Sequence, residues 1–247
     1  MDSHAIALNH AEEPHHDHPA HLRHHFVSLE QQNETVSFGM WLFLLTEVMF
    51  FGGMFTAYLI YRNWYYPAFV AGSHTLSIVL GTVNTGVLIT SSFTMAMGVW
   101  CAETKRQKGL IVSLVLTLIL GFAFLGIKAV EYQEKFELHH VPGAHFDAMS
   151  FVHPKAEAGQ PAEPGLPLDM ARKTEVYFSL YFAMTGMHAL HMIIGMALLS
   201  FMIVKAARGG YSHGNIAFVE NFGLYWHFVD IVWIFLFPLL YLISRHQ

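Results

Sequence analysis

Five long apolar stretches decide what this chain can become. They run from Phe38 to Tyr61, Leu76 to Trp100, Gly109 to Val130, Val176 to Val204 and Asn221 to Ile243, and each exceeds the roughly 18 residues that carry a helix across a bilayer. They are too long for membrane strands and lack the alternation of a β-barrel. A helix, by contrast, satisfies every backbone N–H and C=O within one segment when no water is at hand. The expected fold is all-α, an integral membrane bundle of five transmembrane helices in one domain over residues 36–247. Hydrophobic residues form 54% of the chain, and charged residues only 13%, which is a membrane profile rather than that of a soluble domain.

Outside those stretches the chain is polar. Residues 1–35 include HAEEPHHDHPAHLRHH, too poor in apolar groups to offset ordering entropy, and read as a His-rich mobile tail. Irregular histidines on a flexible segment are a poor metal cage, and no secretory signal pattern is visible, so the tail is expected to be kept. Residues at about 134–173 form a Pro-, Gly- and Ala-rich insert between the third and fourth helices. One cysteine, Cys101, excludes an internal disulfide. No basic patch argues for nucleic acid. The short connections holding Lys105, Arg106 and Lys108, and Lys205 and Arg208, belong on one side. The positive-inside rule makes that side cytoplasmic or matrix, with the N-terminus inside and the C-terminus and insert outside.

Ionisable groups at bilayer depth are costly and face protein, water or a functional path. Glu47 lies within WLFLLTEVMFFGGMF with no Lys or Arg in its apolar stretch; it is read either as a proton relay or as a protonated acid bonded to a neighbouring helix. Lys128 and Glu131 are three apart and can pair. His188 and His191 share a face of the fourth helix, and His227 and Asp230 share a face of the fifth, where they can pair with each other or with the fourth helix. These histidines are too few for two bis-histidine haems or a haem-copper centre, and no helix carries the Glu-x-x-His pairs of a di-iron bundle, so no metal is assigned to this chain. Glycines such as Gly52, Gly53, Gly81, Gly86, Gly121, Gly126, Gly186 and Gly195 suit close helix approach.

Five motifs, FLLTEVMFFGGMFTAYL, TVNTGVLITSSFTMAMG, FLGIKAVEY, YFAMTGMHALHMIIGM and YWHFVDIVWIFLFPLLYL, occur in that order between residues 38 and 243. Together they make the chain resemble subunit III of the haem-copper cytochrome c oxidases, in a short five-helix form that lacks the usual first two helices. The resemblance implies a non-catalytic membrane subunit of a proton-pumping aerobic terminal oxidase. Its haem and copper would sit in the partner catalytic subunit I. The family role would be to support assembly, phospholipid binding and sustained proton uptake, with room for a larger respiratory supercomplex. By the same resemblance Glu47 matches the family's buried glutamate, and His188, His191, His227 and Asp230 match its polar positions. Lys128 stands where glutamine is more usual, and Arg62, Trp226 and Trp233 are expected lipid contacts. The expected location is the bacterial cytoplasmic membrane. The alternatives are the matching subunit of a quinol oxidase, a nitric oxide reductase accessory protein, or an independent proton channel or transporter; internal inverted repeats, common in transporters, are not seen.

Overall fold

The computed structural model describes residues 28–143, 145–154, 165–209 and 216–243. The histidines of the tail before Ser28, and the middle of the insert, lie outside the described residues. Among the described residues eight helices follow in order: α1 Leu29–Trp64, α2 Tyr66–His74, α3 Ile78–Glu103, α4 Gln107–Glu137, α5 Met149–Val152, α6 Leu168–Ala171, α7 Thr174–Ala207 and α8 Ala217–Tyr241. Five of them, α1, α3, α4, α7 and α8, are long and apolar enough to cross a membrane, and no strand occurs among the described residues.

The helices overrun the apolar stretches for local reasons. Ser28 caps α1, its hydroxyl accepting from the Gln31 N–H at 3.1 Å, so the polar residues Glu30 to Ser37 are helical rather than a separate lead-in. At 36 residues and 1.5 Å per residue, α1 is about 54 Å long, well beyond the hydrocarbon core. The stretch RNWYYPAFVAGSH, residues 62–74, is almost wholly helical. Pro67, in the first turn of α2, starts a second helix, and Gly72 lets that helix lie against Tyr177, whose ring occupies the place of a Cβ.

Packing follows one repeat. The buried face of α4 is Leu110, Leu114, Thr117, Gly121, Phe124, Lys128, Glu131 and Lys135, an alternation of four and three residues. Leu88, Ser91, Met95, Gly98 and Ala102 continue the same alternation on α3. A mean period of 3.5 is the signature of helices crossing at a shallow left-handed angle. The α3–α4 pair makes the largest interhelical contact, and α8 packs on α1, α3 and α7. Because Lys128, Glu131 and Lys135 continue the buried register, α4 runs to Glu137, past Val130. At Gly195 a Cβ would lie 3.0 Å from the Trp226 ring, so this glycine seats the indole. Gly52, Gly53, Gly86 and Gly126, by contrast, face open space.

The end of α8 shows how backbone groups are satisfied in lipid. A helix leaves its last carbonyls without intrahelical partners, and an unsatisfied carbonyl in hydrocarbon is expensive. Tyr58 of α1 donates to the Leu239 carbonyl at 2.6 Å, and Tyr177 of α7 donates to that of Leu240 at 3.0 Å. Both rings are fully buried. At the opposite end of α7, Gln107 Nε2 donates to the Ala206 carbonyl at 2.8 Å, joining the start of α4 to the end of α7.

Candidate functional site

The chemistry-bearing residues do not converge on one centre. They separate into three clusters and one isolated histidine. Among the described residues no group of three His, Cys, Asp or Glu side chains is arranged to hold a metal ion.

The first cluster is sealed between α4, α7 and α8. Lys128 Nζ lies 3.0 Å from Glu131 Oε2 and donates also to Tyr181 Oη at 3.2 Å and Tyr241 Oη at 3.0 Å. The two phenols in turn donate to Glu131 Oε1, at 3.0 and 2.5 Å. An ammonium has three N–H donors, and all three are used. The same nitrogen sits 5.1–5.7 Å from the ring centres of Tyr132, Tyr181, Trp233 and Tyr241, a cage whose ring faces favour a cation. The sequence spacing anticipates the Lys128–Glu131 pair. It does not reveal Tyr181 and Tyr241, whose signal is a hydroxyl carried on an otherwise apolar face. A saturated network of this kind pins three helices.

The second cluster lies near the middle of α1, at the bundle's edge. Glu47 Oε2 is 3.1 Å from His191 Nε2 on α7, and the other imidazole nitrogen, Nδ1, is 2.8 Å from the Met187 carbonyl. A carbonyl only accepts, so Nδ1 carries a proton. The Glu47–His191 contact is then a hydrogen bond whenever either group carries a proton between them. The Glu47 side chain is 18% exposed, and Phe51 packs on the His191 ring at 5.5 Å. Among the described residues, this is the one intramembrane carboxyl with a titratable partner on another helix and partial access from outside the bundle.

The third cluster lies in a groove between α3 and α8, near the middle of both helices. Its volume is about 390 Å³, and Ser92, Phe93, His227, Asp230, Ile231 and Ile234 help to line it. His227 Nδ1 bonds to Ser92 Oγ at 2.7 Å. The expected partnership of His227 with Asp230 or with α7 is therefore corrected: α3 supplies the partner, because that face of α8 turns toward α3 rather than along itself. Asp230 is 2% exposed, and Ser92, whose hydroxyl can accept from His227 and donate at the same time, is its side-chain partner.

His188 and His191 share a helix face in sequence but part company in space. His188 is enclosed between Phe124 and Trp233, with ring centres at 5.3 and 5.2 Å. Neither of its nitrogens is hydrogen-bonded among the described residues.

Trp226 and Trp233, expected at the lipid surface, are fully buried. Their indole N–H groups donate to Ser91 Oγ at 3.0 Å and Thr85 Oγ1 at 3.1 Å on α3, so both rings point inward. Arg62 stays at the edge, in a shallow depression with Leu59, Asn63 and Tyr66.

The model of the family described as cytochrome c oxidase subunit III matches residues 21–152 and 169–245. This chain belongs to the cytochrome c oxidase subunit III family. Cytochrome c oxidase subunit 3 of Thermostichus vulcanus is 29% identical over 245 residues, covering 98% of this chain and 94% of that one. The protein of the same name from Synechocystis sp. is 33% identical over 208 residues, 83% of this chain and 75% of its own length. A probable quinol oxidase subunit 3 of Staphylococcus saprophyticus is 25% identical over 83% of this chain and 88% of its own. As a subunit III, the protein is a non-catalytic part of a haem-copper oxidase, an oxidoreductase complex. It is a multi-pass protein of the bacterial cytoplasmic membrane.

Proposed function

We propose that this subunit III assembles beside the catalytic subunit of a proton-pumping oxidase, which holds the haem and copper, and that the Glu47–His191 pair keeps a proton at the bundle's edge to sustain proton uptake during turnover. The observation that carries this reading is the 3.1 Å contact between Glu47 Oε2 and His191 Nε2, a partly exposed carboxyl against an imidazole whose other nitrogen is held by the Met187 carbonyl. A proton shared by two such groups shifts between them with little movement of heavy atoms. The Lys128 cluster differs in being sealed from the outside, with its Lys128 and Glu131 side chains only 4% and 1% exposed.

Glu47→Gln tests the role. A carboxamide preserves a hydrogen bond to His191 but cannot take up and release a proton. The oxidase should assemble at normal yield and start at the normal rate, then lose proton pumping or activity over many turnovers faster than the wild type. Undiminished activity over a long turnover series would leave Glu47 a packing residue.

Bound phospholipid fits the depression at Arg62, where a guanidinium near the end of α1 stands beside Asn63 and Tyr66. The placement of the Thr104–Arg106 turn and of Arg208 at one end of the bundle, joined by the Gln107–Ala206 bond, supports a cytoplasmic face there and an N-terminus inside. The relative named as a quinol oxidase subunit 3 favours one second reading, in which the electron donor is a quinol instead of cytochrome c. Oxygen uptake by the co-purified complex, with reduced cytochrome c or with a quinol as the donor, separates the two.

A further inference from the structure

We propose that Tyr225 is a positioning residue for the Glu47–His191 pair, its hydroxyl fixing the turn of α7 that carries the imidazole and its ring setting how α1 lies against that turn. The inference rests on the reading that this pair sustains proton uptake, and it names what holds the pair in register. Three helices meet there. On α7, His191 is held at two points besides its contact with Glu47: Nδ1 donates to the Met187 carbonyl at 2.8 Å, and the His191 carbonyl accepts from Tyr225 Oη of α8 at 2.9 Å. A phenol has one proton to donate. That of Tyr225 goes to the carbonyl, so the residue acts through His191 rather than passing a proton itself. Gly195, one turn beyond His191, leaves room for the ring: a Cβ there would lie 3.2 Å from Tyr225 Cε1.

The α1 side is a stripe at four-residue spacing, Phe43, Glu47 and Phe51, which falls on one helix face. Phe43 packs on the Tyr225 ring at 6.1 Å, and Phe51 packs on His191 at 5.5 Å and on Phe228 at 6.3 Å. Tyr225 and Phe228 are three apart on α8, so that helix supports the stripe on both sides of the carboxyl. The support matters because α1 is the least buried of the five membrane-spanning helices, and few contacts set its distance from α7. At 3.1 Å the Glu47–His191 contact is near the long end of the hydrogen-bond range, and a further ~0.5 Å takes it out of that range. Tyr225, 6% exposed, touches the helices of both partners and fixes that separation.

The test uses the intact oxidase purified through a tag on this chain. The infrared carboxyl band lost in Glu47→Gln belongs to Glu47, and its amplitude against pH gives the protonation midpoint of that carboxyl. His191→Leu gives the midpoint of the unpaired carboxyl. Tyr225→Phe keeps the ring and removes the hydroxyl, and it should carry the midpoint at least half of the way from the wild-type value to that of His191→Leu. It should also lower the number of turnovers to half-inactivation toward the Glu47→Gln value, with Glu47→Gln adding little more in the same chain, as expected of residues that act as one unit. Phe43→Ala, at a position 39% exposed, should move the midpoint in the same direction. A Tyr225→Phe midpoint that travels less than half of that interval would overturn the inference, as would equal midpoints for the wild type and His191→Leu, which leave no pair to position. Should Tyr225→Phe not assemble, the Phe43→Ala midpoint decides by the same criterion. If Glu47→Gln endures as many turnovers as the wild type, the proton-uptake reading fails, while the infrared midpoints still decide whether Tyr225 positions the pair.

Discussion

Replacing Glu131 by Gln puts the buried ion pair to a direct test. In the native protein Lys128 Nζ is bonded to Glu131 Oε2, Tyr181 and Tyr241, and both phenols donate to Glu131 Oε1. A carboxamide still offers one oxygen to the ammonium, but its NH2 cannot accept from the tyrosines, and the negative charge is gone. Lys128 and Glu131 are 3% and 1% exposed, so solvent does not compensate. Breaking a buried pair from one side costs about 3–5 kcal/mol. In the double variant Lys128→Gln with Glu131→Gln no charge is stranded, and the loss is that of one or two neutral hydrogen bonds, about 1–2 kcal/mol. The two substitutions should therefore couple by about 2 kcal/mol or more, the double variant being the more stable of the two. Unfolding of the subunit in mixed micelles with a rising fraction of dodecyl sulfate, followed by tryptophan emission, measures both. A Glu131→Gln cost under about 1 kcal/mol, or a double variant that equals the sum of its singles, would refute a charge-paired Lys128.

Gly195→Leu should destabilise the bundle by about 1–3 kcal/mol in the same titration, because a Cβ there already meets the Trp226 and Tyr225 rings at 3.0–3.3 Å; Gly52→Ala, with nothing within 4 Å, should be neutral in the lone chain. In bilayers containing brominated lipid, a variant of the lone subunit keeping only Trp233 should resist quenching, and one keeping only Trp41, 61% exposed, should be quenched strongly. His140 sits after α4 against Phe151 and Phe178, at 4.9 and 5.1 Å, and burial, aided by the Lys135 charge, lowers its pKa from 6.5 to about 4. The unfolded segment takes the proton more readily, so local stability is full above about pH 6.5 and is lost as pH falls toward 4. Limited proteolysis around residues 138–153 should accelerate between pH 7.5 and 5, and His140→Phe should remove that dependence.

The number of spans is legible because lipid demands long apolar runs and little else at this length. Their ends are not, since the polar residues that extend α1 and α4 are held by a cap at Ser28 and by a buried register that continues through Lys135. Among the polar sites, Lys128 and Glu131 are readable because both partners lie on one helix, three residues apart. Glu47 and His191, and His227 and Ser92, join helices far apart in sequence, and spacing along one helix does not say which neighbour it faces. The same limit explains the misplacement of Trp226 and Trp233. Their family position suggested lipid, while the small residues that receive them, Gly195 and the hydroxyls of Ser91 and Thr85, sit on other helices.

Purifying the complex through a tag on this chain, then measuring haem and copper before and after the subunits are separated, tests the central claim most directly. The account predicts that haem and copper arrive with a co-purifying catalytic subunit and stay with it on separation, leaving this chain without either. Haem or copper bound stoichiometrically by the isolated chain would contradict it.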